Sequence, residues 1–225
     1  MTEELLRSYS TSALSNAEEL LVEASLLHDN DHFARAYFLA VASIEEVGKG
    51  LLLFDAQGRN LADPAVCARL KASTEDHDQK ISYALGMWAL DMSNRYEAFQ
   101  RALDLIIHLQ NGREPSMYSD LRPDPDRAQT PREVVRPVAA RDCIRLAAGG
   151  LAYAQRHVVE KTPQQFTNAH DRLFTMKSRK FREMLNNVDF WWYFIARMEA
   201  GHQDMADAVL GYERDHIKQG SLFRL

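Results

Sequence analysis

Apolar residues recur at helical spacing from one end of this chain to the other, and no segment shows the sustained alternation of a half-buried strand. The pattern predicts an all-α protein. A first helix over residues 3 to 28 carries Leu6, Leu14, Ala17, Leu20, Leu21, Ala24 and Leu27 along one side. The DND tripeptide at 29 to 31 then predicts a turn and an N-cap. A second helix over 31 to 57 has its stripe at Phe33, Tyr37, Ala40, Ile44, Val47 and Leu51, spaced by alternating fours and threes. Such spacing belongs to the helices of a bundle.

QGRN at 57 to 60 breaks the pattern, after which Asp63 suits a cap and Pro64 the first position of a short helix. A third long helix is expected over 79 to 110. Residues 111 to 131 hold four prolines and seven charged residues. A loop of that length in a compact domain is functional or mobile. Thr130, Pro131 and Glu133, at capping-box spacing, open a fourth long helix over 131 to 158. Residues 163 to 219 are expected to add two or three more, including the aromatic run FWWYF at 190 to 194. The expected organisation is a bundle over 1–160 and a C-terminal helical extension over 161–225, packed as one compact domain.

One stretch of the second helix is out of character. ASIEEVGKG, residues 42 to 50, sets Glu45, Glu46, Gly48, Lys49 and Gly50 between apolar runs. On a helical wheel Gly48 falls on the same side as Ile44 and Leu51. A buried glycine costs about 1 kcal/mol relative to alanine, so close approach of another helix or a ligand is the expected return. Lys49 is placed to pair with Glu45 at i,i+4 and Glu46 at i,i+3. Leu51 to Phe54 then cover every side of the helix, so these charges lie near the edge of a covered region and require partners. By itself the stretch reads as a boundary salt bridge with packing glycines.

Composition leaves this picture intact. The 225 residues are 46% apolar and 26% charged, enough for a sizeable core. A formal net charge of -5 offers no general attraction for nucleic acid or anionic membrane, which argues against a DNA-binding or membrane protein and leaves any RNA contact to a local patch. Cys67 and Cys143 lie far apart and outside zinc-ligand spacing, so neither a disulfide framework nor a zinc site is expected. The acidic, amphipathic N-terminus and the lack of a long apolar run fit a cytoplasmic protein.

Two further polar groups follow the first. TEDHDQK, residues 74 to 80, puts His77 and Lys80 three apart at a helix start, and GREPSMYSD brings Arg113, Tyr118 and Asp120 into the long loop. EEVGK, then H-x-x-K, then RE-x-x-x-Y-x-D ahead of a proline-containing helix start resembles the AbiV family of abortive-infection proteins, in the HEPN superfamily. The likeness covers residues from about 13, at the NAEELLVEA helix, to about 160. It implies a HEPN-like up-and-down helical bundle and an antiphage function exerted on RNA or translation. In many superfamily members it also implies metal-independent ribonuclease activity at a homodimer interface. Such enzymes carry an arginine, four to six residues and a histidine. Here Arg113 is in place and Tyr118 stands where the histidine is expected. RALDLIIH, from Arg101 to His108, and RMEAGH, from Arg197 to His202, match the spacing outside the family's position.

The candidate site residues are therefore Glu45, Glu46, Lys49, His77, Lys80, Arg113, Tyr118 and Asp120, with no cofactor and no metal. Cleavage of RNA by its own 2′-OH needs a base, an acid for the leaving oxygen and positive charge for the phosphorane. His77, Tyr118, Arg113, Lys49 and Lys80 have those chemistries, while Glu45 or Glu46 would orient a cation or act as a base if burial raised its pKa. Two other classes compete. A non-catalytic helical module would block translation by binding a phage or host protein. A ferritin-like metal carboxylate protein is suggested by Glu213 and His216 and by Glu45 and Glu46, although such sites need paired E-x-x-H motifs on two helices plus further carboxylates. Not all of FWWYF can face one interior, so part of it is expected at an oligomer contact.

Overall fold

Thr2 begins the first helix: its hydroxyl accepts from the Leu5 N–H at 3.2 Å, with Glu3 and Glu4 in the first turn. A computed structural model describes residues 1–121 and 128–224. Helix α1 spans Glu3–Asp29, α2 Phe33–Ala56, α3 Pro64–Glu75, α4 His77–Asp91 and α5 Arg95–Arg113. Strands β1 (Asp120–Leu121) and β2 (Ala128–Gln129) pair antiparallel before α6 (Pro131–Val134) and α7 (Pro137–Glu160). Then follow α8 (Asn168–Thr175), α9 (Ser178–Leu185), α10 (Val188–Glu199) and α11 (Met205–Tyr212), which runs into a π-helical turn at Glu213–Ile217. Among the described residues the protein is all-α apart from the two short strands. Among the described residues no helix is long and apolar enough to cross a membrane.

The chain divides into two compact units, Met1–Gln57 with Lys71–Pro163 and Gly58–Leu70 with Gln164–Leu225. In the first, α2 packs against α1, α4 and α7, and α5 packs on α4. The core gathers Leu14, Ala17, Ile44, Val47, Leu51, Ile81, Leu85, Ala147 and Leu151. Small residues bring the helix backbones together. The Ser10 hydroxyl donates to the Gly50 carbonyl and that of Ser43 to the Ala17 carbonyl, both at 2.7 Å and both buried. A Cβ on Gly48 would stand 1.9 Å from the Lys80 carbonyl oxygen, and one on Gly50 would stand 2.7 Å from Leu14 Cδ2. The expected close approach at Gly48 is thus made by α4.

In the second unit, Gly58–Leu70 is held by Arg59. Its guanidinium meets Asp171 at 2.8 Å and lies 4.0 Å from the ring centres of both Phe166 and Phe174. The Asn60 N–H donates to the other oxygen of Asp171 at 2.9 Å. Phe190, Tyr193, Val209 and Tyr212 form the core. FWWYF divides as its helical geometry requires, with Phe190 and Tyr193 buried and Trp191 and Trp192 exposed. At the chain's end, Asp189 accepts from the Tyr212 hydroxyl and from the Phe223 and Arg224 N–H groups.

Several boundaries differ from the sequence expectation for identifiable reasons. The helix expected over 79 to 110 is two, because the chain is extended at Met92 and restarts after Asn94. Asp91, Ser93 and Asn94 are short polar residues that compete with helical hydrogen bonds. The helix expected over 131 to 158 is interrupted at Val135 and Arg136, since Pro137 holds Arg136 extended and suits the first turn of α7. The Thr130–Glu133 capping contact is present, the Thr130 N–H donating to Glu133 at 2.8 Å. Asp31 does not cap α2; it takes the left-handed conformation, φ 60°, and His32 precedes the helix. The loop expected over 111 to 131 holds the last turn of α5 and the two strands, while its residues 122–127 lie outside those described. Beyond residue 163 the described chain has four helices and a π-helical turn rather than two or three helices.

Gly48→Ala is expected to destabilise the protein by roughly 1–3 kcal/mol, because the added methyl meets backbone that cannot step aside. Gly86, also within a helix, has nothing within 4 Å of its would-be Cβ, so Gly86→Ala is expected to gain up to about 1 kcal/mol. Urea unfolding of the two variants checks both signs.

Candidate functional site

Asp76 sets the start of α4. Its carboxylate accepts from the Gln79 N–H at 3.0 Å and the Gln79 side-chain amide at 2.8 Å, which makes His77 the first helical residue and puts Lys80 three positions on. Gly48, three residues after Glu45, admits the α4 backbone against α2. The two side chains of α4 then meet Glu45. His77 Nδ1 lies 2.6 Å and Lys80 Nζ 2.9 Å from Glu45 Oε2. Arg113, in the last turn of α5, donates from Nε to Glu45 Oε1 at 2.7 Å. Both carboxylate oxygens are therefore engaged by cationic or potentially cationic groups.

Exposure grades outward across the cluster: 6% for the side chains of Glu45 and Lys80, 22% for Arg113 and 50% for His77. Burial pushes the Glu45 carboxyl up. The hydrogen bonds from His77 and Lys80 and the charges of Lys80 and Arg113 outweigh it, and hold the group below the usual carboxylate range. Glu45 is thus held as an anion between these groups. The Arg113 guanidinium also lies 5.4 Å from the Phe38 ring centre, and Ser116, fully buried, donates its hydroxyl to the Arg113 carbonyl at 2.5 Å. His77 and Arg113 face an open cleft of about 540 Å³ whose other lining residues are Asp76, Asp78, Gln110, Asn111, Glu114 and Pro115.

Of the residues singled out from sequence, Glu45, His77, Lys80 and Arg113 come together. Glu46 and Lys49 form a separate pair, with Lys49 Nζ 6.0 Å from the Tyr9 ring centre on α1. Adjacent helical residues point about 100° apart, so Glu46 turns toward α1 while Glu45 turns toward α4 and α5. Lys49 therefore does not couple the two acids. Tyr118 is exposed, and its N–H donates to the Glu114 carbonyl at 3.0 Å. Asp120 is exposed at the start of β1 and accepts from the Leu121 N–H at 2.8 Å. Among the described residues neither shares a hydrogen bond or ion pair with Glu45.

Arg101 and His108 lie on exposed positions of α5, and the His202 N–H donates to the Arg197 carbonyl at 2.8 Å in the second unit. Glu213 is paired with Lys180, and the His216 ring lies among Tyr193, Tyr212 and Phe223. Among the described residues no three His, Cys, Asp or Glu side chains gather as a metal site would require. Sequence reasoning missed Phe38, whose position seven residues before Glu45 places it two turns away on the same face. It also missed Asp76, legible as an N-cap once the helix start was set at His77.

Glu45→Gln leaves Lys80 buried without its counter-charge, so a loss of about 3–5 kcal/mol is expected in urea unfolding. Adding Lys80→Met should recover part of that loss, because the stranded charge goes too. The pH dependence follows from the lowered Glu45 pKa. The stabilisation is complete above the unfolded-state value of 4.5 and disappears as pH falls through the lower folded value. The difference in stability between wild type and Glu45→Gln should therefore shrink as pH drops below about 4.5.

The family model described as AbiV matches residues 5–152, about two-thirds of the chain and the whole span that supplies the Glu45 cluster. No curated protein and no solved structure matches the chain. With a helical bundle in place and the match running over well more than half of its length, the chain belongs to the AbiV family of abortive-infection proteins, within the HEPN superfamily.

Proposed function

We propose that this protein acts in phage defence as a metal-independent endoribonuclease whose reacting groups are His77 and Arg113. The observation that carries this reading is the arrangement around Glu45. One buried carboxylate holds His77 by Nδ1 and Arg113 by Nε, at the wall of an open cleft. A histidine bound through Nδ1 to a carboxylate has its Nε2 as the working nitrogen, and the carboxylate both fixes the tautomer and stabilises the imidazolium when it forms. Arg113, bound through Nε, keeps its two terminal nitrogens for a phosphate.

In the proposed reaction, His77 Nε2 takes the proton from a ribose 2′-OH as that oxygen attacks the neighbouring phosphorus. The P–O5′ bond breaks, and the departing 5′-oxygen is protonated by water. The products are a 2′,3′-cyclic phosphate and a 5′-hydroxyl. Arg113 stabilises the phosphorane charge, and Lys80, buried, keeps Glu45 ionised rather than touching RNA. The homodimer implied by the family would set two such clefts beside one another.

A second reading is a non-catalytic module that blocks translation by binding a phage or host protein. Tyr118 at the expected histidine position favours it, as do Asp76, Asp78 and Glu114, which oppose phosphate in the cleft. Purified protein incubated with RNA in the presence of EDTA separates the two. Nuclease action predicts shortened RNA with cyclic-phosphate ends, reduced at least 100-fold in His77→Ala and in Arg113→Ala. Translation blocked with RNA intact would overturn the nuclease reading in favour of the binding one.

A further inference from the structure

The second unit contains a cavity of about 420 Å³ that plays no part in the chemistry above. Its charged lining consists of Arg172, Arg197, Arg214 and Lys218 with Asp207 and Glu213. Four of these are cations and two are acids, on a chain whose net charge is -5. Glu213 is already neutralised, by Lys180 from outside the lining and by the lining's own Lys218 at 4.0 Å, which leaves Arg172, Arg197 and Arg214 against Asp207. The local field thus favours an anion against the trend of the whole molecule.

Three features distinguish this cavity from a solvated charged surface. Arg197 Nε is buried and has no hydrogen-bond partner among the described residues, while its Nη1 donates to the Tyr193 hydroxyl at 3.3 Å. Native structures rarely leave such a donor unsatisfied. Arg172 attracts Glu213 only at long range, with no ion pair between the two among the described residues. One wall is the π-helical turn Glu213–Ile217, a conformation that recurs at functional sites. In it Arg214 is gripped by Asp215 through Nε and Nη2, at 2.6 and 2.8 Å. Asn168 and Ala169 open α8, so the positive end of that helix adds to the field.

We infer that this cavity binds a small phosphate-bearing anion of up to mononucleotide size, gripped by Arg172 and Arg197. The volume is that of a small-molecule site. Arginine suits phosphate because its planar fork offers paired donors. Asp207 is the one lining acid with no cation paired to it among the described residues, and it works against the ligand.

Titration calorimetry on the full chain, with inorganic pyrophosphate and with adenosine diphosphate as separate probes, tests this. Saturable binding to one site per chain is expected for at least one probe. Equal affinities would mean that phosphate groups alone are recognised, and tighter binding of the nucleotide would mean that base or ribose adds contacts. Arg172→Ala should weaken binding roughly tenfold or more. Asp207→Asn should strengthen it, a change of sign that misfolding does not produce. Absence of saturable binding of either probe at millimolar concentration would overturn the inference. So would affinities that ignore both substitutions, or binding lost in Arg113→Ala and kept in Arg172→Ala.

Discussion

Glu45 is an anion almost wholly withdrawn from water in the middle of the helix around which the first unit is packed, and much else in that unit follows from compensating it. An isolated buried carboxylate would cost many kcal/mol or give up its charge. Here Lys80 meets it from inside the fold while His77 and Arg113 meet it from the cleft side. The three donors come from two other helices, so a single carboxylate fixes where α4 begins and where α5 ends relative to α2. Exposure rises outward from Lys80 to Arg113 to His77, so the same carboxylate is bound from the packed interior on one side and from the cleft on the other.

That arrangement needs helices closer than ordinary side chains allow. Gly48 lets the Lys80 backbone rest on α2, and Gly50, Ser10, Ser43 and Ala17 do the same for α1. Hydroxyls donating to carbonyls across this seam satisfy polar groups that close packing would otherwise strand. The glycines that weaken α2 as an isolated helix are what permit its role as a central one. The second unit uses a different device, an arginine sandwiched between Phe166 and Phe174 and paired with Asp171, to hold an otherwise remote segment.

Much of the fold was legible because its signals are local. The stripe from Phe33 to Leu51, the cap at Asp63 and the Thr130–Glu133 capping spacing depend on residues within a few positions of one another. The errors were local as well: Pro137 and the polar residues Asp91, Ser93 and Asn94 are breakers that a long apolar period concealed. At the candidate site, EEVGK, H-x-x-K and Arg113 could be picked out as polar groups in an apolar setting. Which acid pairs with which cation could not be. Glu45 and Glu46 are neighbours with the same chemistry, and only the positions of α1, α4 and α5 assign one to the cleft and the other to Lys49.

The sequence by itself determined an all-α chain, a bundle-type second helix, a glycine made for close approach and a set of polar residues in the order of the AbiV family. These are properties of spacing and residue type, and spacing survives without coordinates. Tertiary structure alone decided that His77, Lys80 and Arg113 converge on Glu45, that Glu45 is anchored as an anion, and that Tyr118 and Asp120 stand apart from it. It also decided that Arg172 and Arg197 line one cavity. Convergence joins residues tens of positions apart, and a carboxylate's charge state depends on burial and on every neighbour at once, neither of which is written in any short stretch of chain.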